Sequence, residues 1–105
     1  MEKEIYDKLV AMNDEFAQAA MELQVLDPEN RFYGGVIDPA NGIAWPSHGG
    51  TPKDMAIWAC ALVNEDSRFY HSETLLKRLE LAAQFMLRSQ HADGSITPPW
   101  TNLHS

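Results

Sequence analysis

Seven apolar residues near the N-terminus, Ile5, Leu9, Met12, Phe16, Ala19, Leu23 and Leu26, recur at alternating steps of four and three. An α-helix turns once in about 3.6 residues, so this spacing lays all seven along one stripe, whereas a strand would divide them between two faces. Tyr6, Val10 and Ala17 widen the stripe; Glu2, Lys3, Asp7, Lys8, Asp14, Glu15 and Glu22 fall mostly off it, which gives the helix one water-facing side. Asp27-Pro28 is the expected stop, because proline disfavours helical geometry in the residue before it and has no amide to donate. So regular a stripe also suits a coiled coil. The segment is short for one, and Ala17, Ala19 and Ala20 fit the close approach of a globular helical hairpin.

Two more helices follow from similar signals. Thr51-Pro52-Lys53-Asp54 reads as a helix start, with Thr51 as N-cap, Pro52 at the first helical position and Asp54 answering as a short capping box. The run Met55–Val63 is apolar nearly all round, which predicts an inner, buried helix, and Cys60 within it reads as a buried, inert thiol. With one cysteine in the chain, no internal disulfide is available. Asn64-Glu65-Asp66-Ser67 ends this helix, and Ser72 caps a last one whose apolar face holds Leu75, Leu76, Leu79, Ala82, Ala83, Met86 and Leu87, widened by Leu81 and Phe85. Asp93-Gly94 supplies its stop.

Between the first two helices, Asp27–Thr51 is dense in turn signals: Gly34-Gly35, Asp38-Pro39, Asn41-Gly42, Trp45-Pro46 and Gly49-Gly50. Phe32-Tyr33 to Val36-Ile37 on one side and Ile43-Ala44-Trp45 on the other predict a small β-hairpin, with Asn41-Gly42 in its left-handed turn positions. A connection this long exceeds what helix packing requires, and such loops commonly carry function. The expected architecture is thus mainly α, with antiparallel helical hairpins and a decorated loop, in a single domain spanning residues 1–105.

Charge and composition narrow the partners. Eight Lys and Arg against fifteen Asp and Glu leave a formal net charge of −7, which opposes binding to phosphate backbones and anionic membranes. No apolar stretch approaches the roughly 20 residues of a membrane span, and Met1–Lys8 has no apolar core of a signal peptide, which leaves the compartment open. Nucleic acid and membrane insertion are therefore not expected. A second helix that is apolar on all sides, with few elements to cover it, predicts a homo-oligomer.

Candidate chemistry lies in the loops. If the second and third helices are antiparallel, the start of one and the end of the other meet, bringing His48 and Trp45 toward Asp93, Trp100, Asn102 and His104. Trp45, Trp100 and Tyr33 offer flat amphipathic surfaces that stack on sugar rings, and the Asn, His, Thr and Ser around them can bond hydroxyls; a tryptophan beside proline can equally plug the core. His91-x-Asp93, Asn102-x-His104 and His48 are the residues that could ligate a metal, but no His-Glu-x-x-His or Cys-x-x-Cys pattern is present. Neither a Gly-x-Ser-x-Gly elbow nor a Gly-x-Gly-x-x-Gly loop occurs. No cofactor is expected.

The segment Phe85-Met86-Leu87-Arg88-Ser89-Gln90-His91-Ala92-Asp93-Gly94-Ser95 resembles the helix-end pattern Gln-x-x-Asp-Gly-Ser/Thr of α/α-toroid proteins, which include six-hairpin glycosidases, polysaccharide lyases and terpene cyclases. Pro98-Pro99-Trp100-Thr101-Asn102-Leu103-His104 is similar to a mouth loop of the heparinase II/III-like group, in which setting Gly49-Gly50-Thr51-Pro52 would open an inner helix. The resemblance implies an incomplete α/α toroid, part of a polysaccharide-degrading protein acting by β-elimination on uronate-containing glycan, and inactive as this short chain. In such chemistry the sugar carboxylate is neutralised so that the adjacent proton can be abstracted. By residue type, Asn102 neutralises, His104 or His48 is the base and Tyr33 the acid, while Trp45, Trp100 and Asp93 bind the polysaccharide or oligosaccharide. The alternatives are a fragment of a glycoside hydrolase, for which Asp38, Asp54 and Asp93 are the available carboxylates, and a non-catalytic helical module that binds glycan or its own copies.

Overall fold

All three apolar patterns become helices. The computed structural model describes residues 2–47 and 49–89, and contains α1 (Glu2–Leu23), α2 (Thr51–Val63) and α3 (Glu73–Arg88). The molecule is mainly α, as the periodicity requires. Trp58 of α2 is fully buried at the centre, among Ala17, Ala20, Val36, Ala61, Leu75 and Ala82, and its indole N–H donates to the Ala17 carbonyl at 3.0 Å. α1 and α2 run antiparallel: Asn13 Nδ2 donates to Ile57 O at 3.3 Å, and the Tyr6 hydroxyl reaches Asp66 beyond the end of α2 at 2.8 Å. That contact to Asp66 raises the Tyr6 pKa above its ordinary value.

The face that α1 buries is not the face its apolar stripe marks. Ile5 (57% exposed), Leu9 (57%), Met12 (49%) and Phe16 (55%) remain open to solvent, while Asp14, Ala17 and Ala20 are buried against the rest of the chain. The reason is that small residues let the backbones of α1 and α2 approach closely, and Asp14, expected in water, has a specific task. Its carboxylate accepts from Ser67 Oγ at 2.5 Å and from Arg68 N at 3.0 Å, and Ser67 Oγ accepts from Phe69 N at 3.0 Å. One buried anion thus fixes the link between α2 and α3 onto α1.

α2 also departs from expectation. Its buried residues are Thr51, Asp54, Trp58 and Ala61, a single stripe, while Ala56, Ala59, Cys60 and Val63 are exposed. Cys60 is therefore a surface thiol and not a core residue. Uniform apolarity gave no phase to the sequence pattern; the indole of Trp58 set it. α3 follows its prediction more closely: Leu75, Ala82 and Phe85 are buried, although Leu76 and Leu87 are exposed. The Ser72 cap forms, its hydroxyl accepting from Leu75 N at 3.2 Å.

α1 stops at Leu23, before the Asp27-Pro28 signal. Its last carbonyls find partners outside the helix, Arg78 Nη1 on Met21 O at 2.9 Å and Ile37 N on Leu23 O at 3.0 Å. Buried Gln24 completes the junction, its amide donating to Gly34 O at 2.9 Å and Arg78 O at 2.8 Å. The predicted β-hairpin does not form as such among the described residues, where isolated bridges pair Gln24 with Val36 and Asp38 with Ile43. Residues 34–37 bond along one edge to the chain leaving α1, with Val25 N on Gly35 O at 2.9 Å. On the other edge Thr51 stands between the arms, its hydroxyl accepting from Val36 N and its amide donating to Trp45 O, so the pairing stops at Asp38 and Ile43. Of the expected left-handed pair, Gly42 has φ +72 and Asn41 does not take a positive φ.

Candidate functional site: a loop cleft at the start of α2

The long loop is tied to both neighbouring helices. Gly34, at φ +88, lies so close to α3 that a Cβ there would stand 2.3 Å from the Leu81 carbonyl oxygen. Farther along α3, the Arg88 guanidinium donates to the Tyr33 carbonyl and lies 5.7 Å from the centre of the Tyr33 ring. At α2, the Thr51 hydroxyl accepts from Val36 N at 3.1 Å. The predicted Thr51 cap does not form: the N-cap is Gly50, which has no side chain to offer, and Thr51 is the first helical residue, its hydroxyl committed to the loop. The start of α2 and the end of α3 therefore lie at one end of the molecule, as antiparallel packing demands, with the loop spread across them.

Within the loop, a compact turn orients Trp45. Asp38 Oδ1 accepts from Ala40 N at 2.9 Å, Gly42 N donates to Asp38 O at 2.8 Å, and Asn41 Nδ2 donates to Asp38 Oδ2 at 3.3 Å. Asn41 Oδ1 then accepts from Ile43 N at 3.1 Å and from the Trp45 indole N–H at 3.2 Å. The Trp45 carbonyl accepts from Thr51 N at 2.8 Å, so the ring is held at its tip and at its backbone. Flanked by buried Ala44 and Pro46, Trp45 is itself only half-buried. It plugs no core.

Trp45 forms one wall of a cleft of about 160 Å³ whose lining also includes Val36, Ile37, Asp38, Lys53 and Asp54. Asp54 is buried, and this burial pushes its pKa above the ordinary carboxylate range; the Lys53 ammonium, 3.5 Å from Oδ1, opposes the shift less strongly. Chemically, the cleft offers a flat aromatic plate, carboxylate acceptors and one ammonium donor. It is smaller than the roughly 300 Å³ at which pockets begin to enclose a drug-sized ligand, so it suits a single ring laid against the indole.

Of the residues singled out from sequence, Trp45 stands in this cleft. Tyr33 does not line it and sits instead under Arg88 at the end of α3. His48, Asp93, Trp100, Asn102 and His104 lie outside the described residues. Asp38 and Asp54, noted as the carboxylates near this face, share the cleft with Trp45. Lys53, and Asn41 as the residue that orients the indole, were not anticipated. An Asn three residues after the Asp of an Asp-Pro pair and four before a tryptophan is the signal that could have found the latter. Among the described residues no group of three or more His, Cys, Asp and Glu is arranged to hold a metal, and no helix is long and apolar enough to cross a membrane. No protein-family model matches the sequence, and no curated protein or solved structure matches it either.

Proposed function

We propose that the chain is a glycan-binding part of a polysaccharide-degrading protein, its helices forming a portion of an α/α toroid and the Trp45 cleft taking a sugar ring. The observation that carries this reading is the half-buried indole of Trp45, pinned by Asn41 and Thr51 beside Asp38 and Asp54. A fixed aromatic plate loses little entropy on stacking, and neighbouring carboxylates accept from the paired hydroxyls of a sugar.

The elimination chemistry expected of the lyase resemblance would draw on Asn102, His104 and His48, with Tyr33 as acid. The cleft itself, lined by Asp38 and Asp54, favours neutral sugars over uronates, because two carboxylates repel a third. It thereby lends support to the glycoside hydrolase alternative, in which one carboxyl of raised pKa donates a proton and another acts as base or nucleophile. Burial at Asp54 works in the direction such an acid requires.

Binding is tested by affinity electrophoresis through gels containing neutral or uronate-bearing polysaccharides. The chain is expected to be retarded, more by neutral polymers, and Trp45→Ala to migrate freely while keeping its far-ultraviolet circular dichroism. Retardation that survives Trp45→Ala, or none on any glycan, would count against the reading.

A further inference from the structure

We propose that two copies of this chain pair antiparallel through α1, along the seam Ile5, Leu9, Met12 and Phe16. These four large apolar side chains are each about half-exposed. At about 100° per residue, they lie roughly a third of a turn away from Ala17 and nearly half a turn from Asp14, which face the rest of the chain. α1 therefore has two faces: a small-residue face used within the chain, and an apolar one left over. The leftover face has the strict alternation of four and three that places knobs into the holes of a facing helix. It continues into a groove of about 230 Å³ between the helices, lined by Tyr6, Leu9, Val10 and Cys60 among others.

The charges beside the seam choose the occupant. In an antiparallel pair, Ile5 packs against Phe16 of the second copy and Leu9 against its Met12, so that all four residues form layers related by a two-fold axis. Lys8 and Glu15, both exposed and on the same side of the seam, then each come opposite the other's counterpart, giving two attractive pairs. A parallel pair would bring them instead toward the uncharged Asn13 and Ala20 positions, with the helix dipoles aligned unfavourably. The seam is thus complementary to itself in one orientation.

Sedimentation velocity on the full 105-residue chain over a dilution series, from millimolar to submicromolar, tests this. A reversible dimer is expected, and Phe16→Glu should weaken it by more than a hundredfold without changing helix content, since Phe16 is half-exposed and stands outside the core cluster. Lys8→Glu alone and Glu15→Lys alone should each weaken the dimer about tenfold, and the double exchange K8E/E15K should restore it. A chain that stays monomeric at millimolar concentration overturns the proposal, as does a dimer indifferent to Phe16→Glu. Failure of the double exchange to recover what the single changes lose overturns the antiparallel register.

Discussion

Replacing Asp14 by alanine should be among the most damaging single changes available in α1, although sequence alone places that residue on the wet side of the helix. The carboxylate is 5% exposed and accepts two hydrogen bonds, from Ser67 Oγ at 2.5 Å and Arg68 N at 3.0 Å. Hydrogen bonds to a charged group contribute about 1.5–3 kcal/mol each, and removing the acceptor also strands a partly buried amide. Some of this is recovered when water enters the space vacated by the side chain. A net loss of about 2–4 kcal/mol is therefore expected, against a total of about 5–15 kcal/mol for a chain of this size. In urea, with a slope of about 1–2 kcal/mol/M, the unfolding midpoint should fall by about 1–4 M. Ser67→Ala should cost less, because Asp14 keeps the Arg68 amide, and the double variant should show a coupling of about 1–2 kcal/mol. Circular dichroism and tryptophan fluorescence, the latter dominated by changes around buried Trp58, should report one transition. A midpoint shift in Asp14→Ala equivalent to less than about 0.5 kcal/mol would refute the view that this anion holds the α2–α3 link on α1.

Three further outcomes follow from the same geometry. Gly34→Ala should lose about 3 kcal/mol or more in thermal or urea unfolding, because φ +88 strains an alanine and its Cβ would meet the Leu81 carbonyl; Gly42→Ala, at φ +72 in open space, should lose only about 1 kcal/mol. Burial raises the Asp54 pKa, so the folded chain holds that proton more tightly than the unfolded chain, and its unfavourable contribution is complete above the folded value and vanishes below the ordinary carboxylate range. Asp54→Asn should accordingly stabilise the chain at pH 7 and do so progressively less as acid is added, whereas a parent more stable than the variant at pH 7 would reverse that sign. Finally, the chain should give no growth of ultraviolet absorbance on uronate polysaccharides, and measurable turnover abolished by His104→Ala would show a complete eliminating site.

The helices were legible because their apolar residues repeat at the period of the backbone, which is a local property. Which face each helix buries was not. In α1 the bulky stripe wins on hydrophobicity, yet the small face wins in the fold, because Ala17 and Ala20 admit α2 closely and Asp14 finds two donors there. In α2 every face is apolar, so periodicity carried no phase, and Cys60 turned outward against expectation. The loop gave up its turns but not its pairing: Val36 and Ile37 are strand-like in composition, and their partners come from residues just beyond α1, about a dozen positions upstream. The cleft was half visible. Trp45, Asp38 and Asp54 could be assigned to one end of the helices from chain direction, whereas the bond from Trp45 to Asn41 depends on a turn geometry that residue types alone do not specify.

The most direct measurement of the proposed glycan site follows the tryptophan indole N–H resonances of the labelled chain while a neutral oligosaccharide is added. A single ring stacked on an open cleft corresponds to an affinity of about millimolar strength, well within the range of such a titration. The Trp45 indole, partly buried and bonded to Asn41, should shift saturably with ligand, while the fully buried Trp58 indole, bonded to the Ala17 carbonyl, should stay still. A Trp45 signal that does not move at tens of millimolar oligosaccharide, or that moves only together with Trp58, would contradict the assignment of this cleft to a sugar.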